Sequence, residues 1–490
     1  MPQTFDVLIH GGTVYDGTAA PGVRADVGIR GERIAAVGQL GQAEAGRVID
    51  ASHRAVSPGF VDVHSHDDVA CMLTPMDFKL MQGVTTNVVG NCGAGTAPYN
   101  PEGRDMIMGA VLGDMPELTW ETFGEWLEVL AGSGHGTNVA CLVPHGAVRF
   151  ATFGLNSRAP TDAELDQMME HINDGMAAGA VGLSTGLIYP PGAFARTDEI
   201  IACAQIAAKH GGIYVSHIRN EDTNLMAAVE EAITIGEQAG LPVQISHHKA
   251  GGPRVWGKVH DTIALMNERR AAGQDITFDV YPYTAASTVL SAIAAAAEGL
   301  DFDLVMIASA PGLEQIEGKT LTEAAQILGV PKEQAPQRVL RECPGATAIF
   351  FIMDEGDIRT VVSQPECMIG SDGLPTPGGK PHPRLYGTFP RVIQRYVREE
   401  GLLSLEEAVR KMTSLPADRF QLADRGRLVE GAFADVVVFD PQTIEDIATY
   451  QQPRQYPKGI DYVLVNGVVA AENGKQTVTD AGRLLRRGVA

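Results

Sequence analysis

No stretch of the 490-residue chain reaches the roughly 18 uninterrupted apolar residues that a membrane-crossing helix needs. The opening residues, MPQTFDVLIHGG, also lack a basic leader. A cytoplasmic protein with no membrane partner is therefore expected. Blocks of Lys and Arg long enough to follow a phosphate backbone are absent as well, and 60 acidic against 38 basic residues leave a formal net charge of -22. That balance argues against nucleic acid as a partner. Cysteine is sparse: Cys71, Cys92, Cys141, Cys203, Cys343 and Cys367 are scattered without the spacing of a disulfide framework. What is present is ordinary for a globular protein, 44% hydrophobic and 20% charged residues. A chain of this length buries one large core, so one big domain with an appendage is expected.

The first 56 residues read as short alternating strands broken by turn dipeptides, as in DVLIHGGTVYDG and ADVGIRGERIAAVG. The same style returns near the other end, in GRLVEGAFADVVVFDP (426 to 441) and DYVLVNGVV (461 to 469). Residues 1–56 and 416–490 are thus expected to pair into one small antiparallel β-sandwich. Between them, residues 57–415 alternate short apolar strands with helical stretches, the pattern of a parallel sheet wrapped in helices. Eight strands are expected, at 59–66, 84–93, 137–146, 180–187, 212–220, 242–249, 275–283 and 366–373. Eight such units predict an α/β fold of the (β/α)8 barrel type. The seventh and eighth strands are separated by a long insert, at about 284–365, of the kind that serves as a lid or substrate loop.

A barrel carries its active site at the C-terminal ends of its strands. Metal-capable side chains fall there: His64 and His66 on the first strand, Cys92 on the second, His217 on the fifth, His247 on the sixth and Asp372 on the eighth. Residues two apart on a strand share a face, so His64 and His66 should look into the mouth together. His248, one residue on, should face away. Cys92 sits in VVGNCGAG, where the glycines give the backbone room to approach an ion. Thiolate with imidazole nitrogen favours zinc, and Cys92, His217 and His247 would form a three-ligand site with an open fourth position. Asp372, in IGSDG, is placed to act as general base, taking a proton from an attacking water and delivering it to a leaving nitrogen.

These residues carry a family likeness. PGFVDVHSHDD, GNCG, GLSTGLIYPPG, YVSHIRNE, QISHHK, YPYTAAS, GSDG and HPRLYGTFPR resemble, in the same order, the blocks of the N-acyl-D-amino-acid deacylases (D-aminoacylases) of the amidohydrolase superfamily. The resemblance implies a hydrolase of small-molecule N-acyl-D-amino acids, with zinc held tightly by Cys92, His217 and His247. It implies also that His64, His66 and Asp372 line a second, weaker metal site that shares Cys92. Many members of the superfamily bridge two metals with a carbamylated lysine on the fourth strand. The fourth strand here, AVGLSTGL, has no lysine, and the resemblance implies that the cysteine takes its place. By motif position the substrate α-carboxylate would be held by Lys249, Tyr281, Ser287 and Arg384, with Tyr283 competing for the tyrosine's role. A chain at -22 repels an anion unless local cations and hydroxyls hold it. After Ser287 the insert reads TVLSAIAAAAEGL, with no cation for a substrate side-chain carboxylate, so neutral or apolar D-residues are expected to be favoured. Kindred activities, D-aminoacyl dipeptidase or a hydantoinase-like cyclic-amide hydrolase, remain as alternatives at this stage. The missing lysine weighs against the latter.

Overall fold

Eight short parallel strands surround the centre of the protein, at Phe60–Asp62, Val84–Val89, Asn138–Pro144, Gly182–Gly186, Ile213–His217, Val243–Ile245, Ile276–Val280 and Cys367–Ile369. Each lies within the stretch expected from the sequence. The computed structural model describes residues 4–41, 43–98, 119–294 and 301–489. The strands neighbour one another in chain order, so the barrel winds steadily from the first to the eighth. Runs such as VTTNVV and NVACLVP are buried at every position, because one face meets the barrel interior and the other the helices. Val61, Val63, Val88, Ala140, Leu142, Ile213, Val215 and Met368 fill the interior, and Phe420 and Leu422 join them.

The outer helices form where the sequence supplies both a cap and an apolar stripe. Helix Asp162–Ala177 opens on a capping box, in which the Thr161 hydroxyl accepts from Glu164 N and the Glu164 carboxylate accepts from Thr161 N. It buries Met168, Ile172 and Met176 at helical spacing.

Strands from the two ends of the chain share one nine-stranded sheet, in which Ala55–Pro58 pairs with Val436–Phe439. Most pairings are antiparallel as expected, but the strand Thr4–Val14 runs parallel to both Glu44–Asp50 and Ala55–Pro58. This fork lets the sheet fold over its own apolar face, where Val7, Ile9, Val27, Ile29, Val436, Val438 and Leu464 pack together. The C-terminal segment divides between the two bodies. Strand Leu484–Leu485 leaves the sheet and lies parallel to the third barrel strand.

The insert has a fold of its own. Ala286–Val289, Val305–Ser309 and Thr347–Phe350 form an antiparallel sheet with Thr347–Phe350 in the middle. Helices Leu321–Leu328 and Ala335–Glu342 cover it, and Val305, Ile307, Leu321, Val339 and Phe350 make a separate core. Residues 295–300, the end of the alanine-rich stretch, lie outside the described residues.

Candidate active site

The metal-capable side chains converge at the C-terminal ends of the barrel strands. Cys92 Sγ lies 3.3 Å from His64 Nε2, 3.6 Å from His217 Nδ1 and 3.7 Å from His247 Nε2. Asp372 Oδ1 is 3.5 Å from His64 Nε2 and 3.3 Å from His66 Nε2. These atoms fall into overlapping groups of three, Cys92 with His217 and His247, Cys92 with His64 and His66, and His64 with His247 and Asp372. Sulfur and nitrogen ligands at their usual bond lengths around a tetrahedral zinc stand about 3.5 Å apart. The spacing from Cys92 to His217 and to His247 fits that ion.

The backbone is bent to make this arrangement. Cys92, His247 and Asp372 all have left-handed backbones, with φ of 55°, 35° and 49°. Each such residue costs about 1–2 kcal/mol, which the surrounding packing must offset. At His247 the bend decides which imidazole enters the site. Val243 and Ile245 pack with the helix-facing core, so strict alternation would carry His247 outward and His248 inward. The left-handed turn reverses this: His247 joins the site, and His248 Nε2 meets Thr262 Oγ1 on the outer helix at 2.8 Å. A similar break occurs on the first strand. Val61 and Val63 point into the barrel, and regular strand geometry ends at Asp62. His64 and His66 do share the mouth, but through this break rather than by alternation. The glycines around Cys92 serve the neighbouring strands rather than an ion. A Cβ on Gly90 would stand 2.3 Å from Leu142 O, and one on Gly93 2.8 Å from Gly186 N.

Charged groups behind these side chains set their state. Glu221 Oε1 is 3.0 Å from His247 Nδ1, and its other oxygen is 3.8 Å from His217 Nε2. A proton on Nδ1 of His247 leaves Nε2 free to bind metal. In that tautomer the close approach of Lys249 Nζ to Nδ1, 2.7 Å, is no hydrogen bond; the ammonium donates to Glu221 and to the His247 carbonyl. Burial works against an ionised Glu221, yet Lys249, His217 and His247 hold it far below the ordinary carboxylate range. Burial likewise opposes a charged Cys92. The charge on His64 and contacts with His217 and His247 nonetheless hold the thiol well below its usual value, which favours the thiolate. Asp372 follows the same pattern: despite burial, Arg384 and His64 keep its carboxyl well below the usual range. His66, also buried, is raised to about 9 by its contacts with Asp372 and Cys92.

A cavity of about 500 Å³ opens over these groups, with His66, Cys92 and Asp372 among its lining residues. Leu155, Phe194, Val289 and Leu374 make its walls largely apolar, and among the described residues no lysine or arginine lines it. Of the four residues expected at a substrate carboxylate, Ser287 lines this cavity. Arg384 Nη2 pairs with Asp372 Oδ2 across 3.0 Å and donates to Ser287 O at 2.9 Å. Its Nε and Nη1, together with Tyr281 Oη, are buried without partners among the described residues. Tyr283, the competing choice, donates to Asp446 at 2.8 Å. Lys249 Nζ stands 5.7 Å from the centre of the Tyr281 ring, over which Arg384 also lies, and is tied to Glu221.

The sequence and the fold can now be placed among known proteins. A model of the amidohydrolase family matches residues 47–471. The chain belongs to the amidohydrolase family. This amidohydrolase is 44% identical over 488 residues to the N-acyl-D-glutamate deacylase of Alcaligenes xylosoxydans xylosoxydans, across 99% of this chain and 98% of the relative. A D-aminoacylase of the same organism is 42% identical over 492 residues, across 100% of this chain and 99% of the relative. Among solved structures, N-acyl-D-glutamate deacylase from Bordetella bronchiseptica superposes with a TM-score of 0.91 at 41% identity, covering 99% of this chain and 100% of that one. That enzyme was crystallised with zinc and a phosphonate inhibitor that mimics the tetrahedral intermediate of its reaction. The resemblance read from the motifs is borne out.

Several residues that shape this amidohydrolase's site were not singled out in the sequence. Glu221, four residues after His217 in HIRNE, supports two of the imidazoles and Lys249. Asp279, a charged residue inside the buried strand ITFDV, accepts from His247 N at 2.9 Å and stands 3.5 Å from His64 Nδ1. A carboxylate in the middle of a wholly buried strand was the available signal. His382 accepts from Arg384 N and reaches the Ala285 carbonyl, joining the insert to Arg384. His145 is buried against Glu199, away from the cluster. The other five cysteines are buried and free, as expected of structural thiols.

Proposed function

We propose that the chain hydrolyses the amide bond of N-acyl-D-amino acids, releasing a carboxylate and a free D-amino acid, with zinc bound by Cys92, His217 and His247. The observation that carries this reading is the thiolate and imidazole cluster around Cys92, with an ionised Asp372 against it at the floor of a cavity. Near-full-length likeness to a D-aminoacylase and an N-acyl-D-glutamate deacylase supports the substrate class and its stereochemistry. His64, His66 and Asp372 are the candidates for a second, weaker ion shared through Cys92. Zinc supplies Lewis-acid chemistry: it polarises a carbonyl and lowers the pKa of water. Asp372 takes the proton from the water that attacks the amide carbon, then passes it to the nitrogen as the C–N bond breaks. The unpartnered donors of Arg384 and Tyr281, with the Ser287 hydroxyl, are suited to the substrate α-carboxylate. Lys249 serves better as the counter-charge that keeps Glu221 ionised beneath the histidines.

The test is amine release from N-acetyl-D-leucine and N-acetyl-L-leucine by zinc-loaded protein, beside Asp372→Ala. D-selective release is expected, and the variant should lose about 10²- to 10⁴-fold in kcat, the usual share of a general base. If wild type with zinc releases amine from neither enantiomer, the reading fails. The apolar cavity walls favour neutral side chains, so N-acetyl-D-leucine should turn over faster than N-acetyl-D-glutamate. A preference for the glutamate derivative would overturn that specificity.

A further inference from the structure

Three of the site's side chains stand on two strands that do not pair. His64 and His66 follow the first barrel strand and Asp372 the eighth, and these strands are the two ends of the hydrogen-bonded path around the barrel. Each is only three residues long, so the wall runs out below the mouth. Among the described residues the seam is crossed by a single bridge, Ser65 to Gly373. Beside it, Asp372 N donates to His64 O at 2.7 Å and His66 N to Gly373 O at 3.3 Å.

One buried carboxylate and one buried ammonium span that seam. Asp62 Oδ1 accepts from His64 N at 3.2 Å on its own strand and from Ser371 N at 2.8 Å across it. Lys79, on the short helix Asp77–Leu80, donates to Asp62 Oδ2 at 2.5 Å and to Ser371 Oγ at 2.9 Å, with Asp67 Oδ2 3.1 Å away. Ser371 Oγ also accepts from Gly373 N at 3.1 Å. The side chains of Lys79, Asp62 and Asp67 are fully shielded from solvent. A buried ion pair is a poor source of net stability, and its best-attested use is to fix register. Here the partners are Asp62, two positions before His64 and bonded to its N–H, and Ser371, next to Asp372.

We propose that Lys79 is a positioning residue: through Asp62 and Ser371 it locks the first barrel strand against the eighth, and so sets where the Asp372 carboxylate stands relative to His64 and His66. The catalytic consequence rests on the role given above to Asp372, while the locking of the seam does not. A general base displaced by about 1 Å costs up to about 100-fold in rate, without a matching change in substrate binding.

Two variants test this. Lys79→Met removes the ammonium. Ser371→Ala removes the hydroxyl that takes bonds from Lys79 and Gly373 N and reaches His64 O at 3.4 Å, and it buries no new charge, so it remains informative if Lys79→Met does not fold. Each is measured for hydrolysis of N-acetyl-D-leucine with zinc, and for amide hydrogen exchange in segments 60–68 and 368–374. The expected result is a fall in kcat of about 10- to 100-fold with KM within about twofold, and faster exchange in both segments while the third to sixth strands stay protected. Unchanged exchange at the seam in the folded variants overturns the proposal, whatever turnover does. Faster exchange with wild-type kcat overturns it too, since the lock would then have no bearing on Asp372. If wild type itself proves inactive, the functional reading falls, and the exchange measurement alone decides whether Lys79 holds the seam.

Discussion

At the scale of single residues, the site is an arrangement of buried charges that stabilise one another. The imidazoles around Cys92 favour its thiolate, and Glu221 stays ionised because Lys249 and two of the same imidazoles face it. Glu221 is thus the hinge of the proposed zinc-ligand set, orienting His247 and facing His217. Replacing a carboxylate that orients a metal-binding histidine usually lowers metal affinity about 10- to 100-fold. Glu221→Gln should therefore show that loss in competition with a zinc chelator, and its activity should recover in excess zinc. Affinity equal to wild type would mean that the histidines are oriented by packing alone. The left-handed backbones at Cys92, His247 and Asp372 belong to the same scale. Such strain persists only where neighbouring contacts over-determine the conformation, and all three positions adjoin the reactive groups.

Among the elements, helix Asp162–Ala177 illustrates how the outer ring is held. Beyond its capping box, Glu164 accepts a two-bond fork from Arg158, both bonds 2.7 Å long. That fork, followed by the backbone N–H of Thr161, lowers the Glu164 carboxyl from 4.5 to about 2. A carboxylate depressed on folding stabilises the native state above its unfolded pKa, and that contribution is lost as pH falls through the folded value. Glu164→Gln should thus melt about 1–2 °C below wild type at neutral pH, a modest effect because the pair is exposed. The gap should close as pH is lowered from about 4.5 toward about 2. A gap that persists unchanged down to pH 2 would show that the ionised form of Glu164 is not what matters. Arg158 closely follows Leu155, which lines the cavity, so the loop leading into this helix helps form the wall. The insert is the other element with a functional place, since its strand Ala286–Val289 carries Ser287 to the cavity and its backbone to Arg384.

Taken as a whole molecule, the barrel and the terminal sheet are joined by a buried polar junction. Arg425 pairs with Asp435 and donates to Asn466 Oδ1 at 2.9 Å. Asn466 in turn donates to Asn138 Oδ1 at 2.8 Å, at the start of the third barrel strand. Asn138 Nδ2 returns to Asp435 at 3.2 Å. Arg425→Met would leave Asp435 charged, buried and without its cation, a change that costs about 3–5 kcal/mol. A fall of that size in unfolding free energy, measured in denaturant, is expected. A loss below about 1 kcal/mol would show that water reaches the junction. Among the described residues no helix is long and apolar enough to cross a membrane.

The sequence by itself determined the parts that depend on local pattern. Eight apolar runs flanked by turn residues specify eight strands wherever they end up, and the histidines, the cysteine and the aspartate at their ends name a zinc-type donor set before any distance is known. The two halves of the terminal sheet were likewise legible, because their alternation and turn dipeptides are local. Only the tertiary structure decided which way side chains point once a strand has ended. Alternation favours His248 over His247 and breaks down at His64, and the deciding left-handed turns and strand breaks are imposed by backbone contacts far apart in sequence. The pairing of Lys249 with Glu221, the unpartnered donors of Arg384, the insert's own core and the placement of Lys79 beneath the seam are of the same kind. Each depends on what a charge meets when the chain closes, and a buried charge takes its role from its nearest partner rather than from its neighbours in sequence.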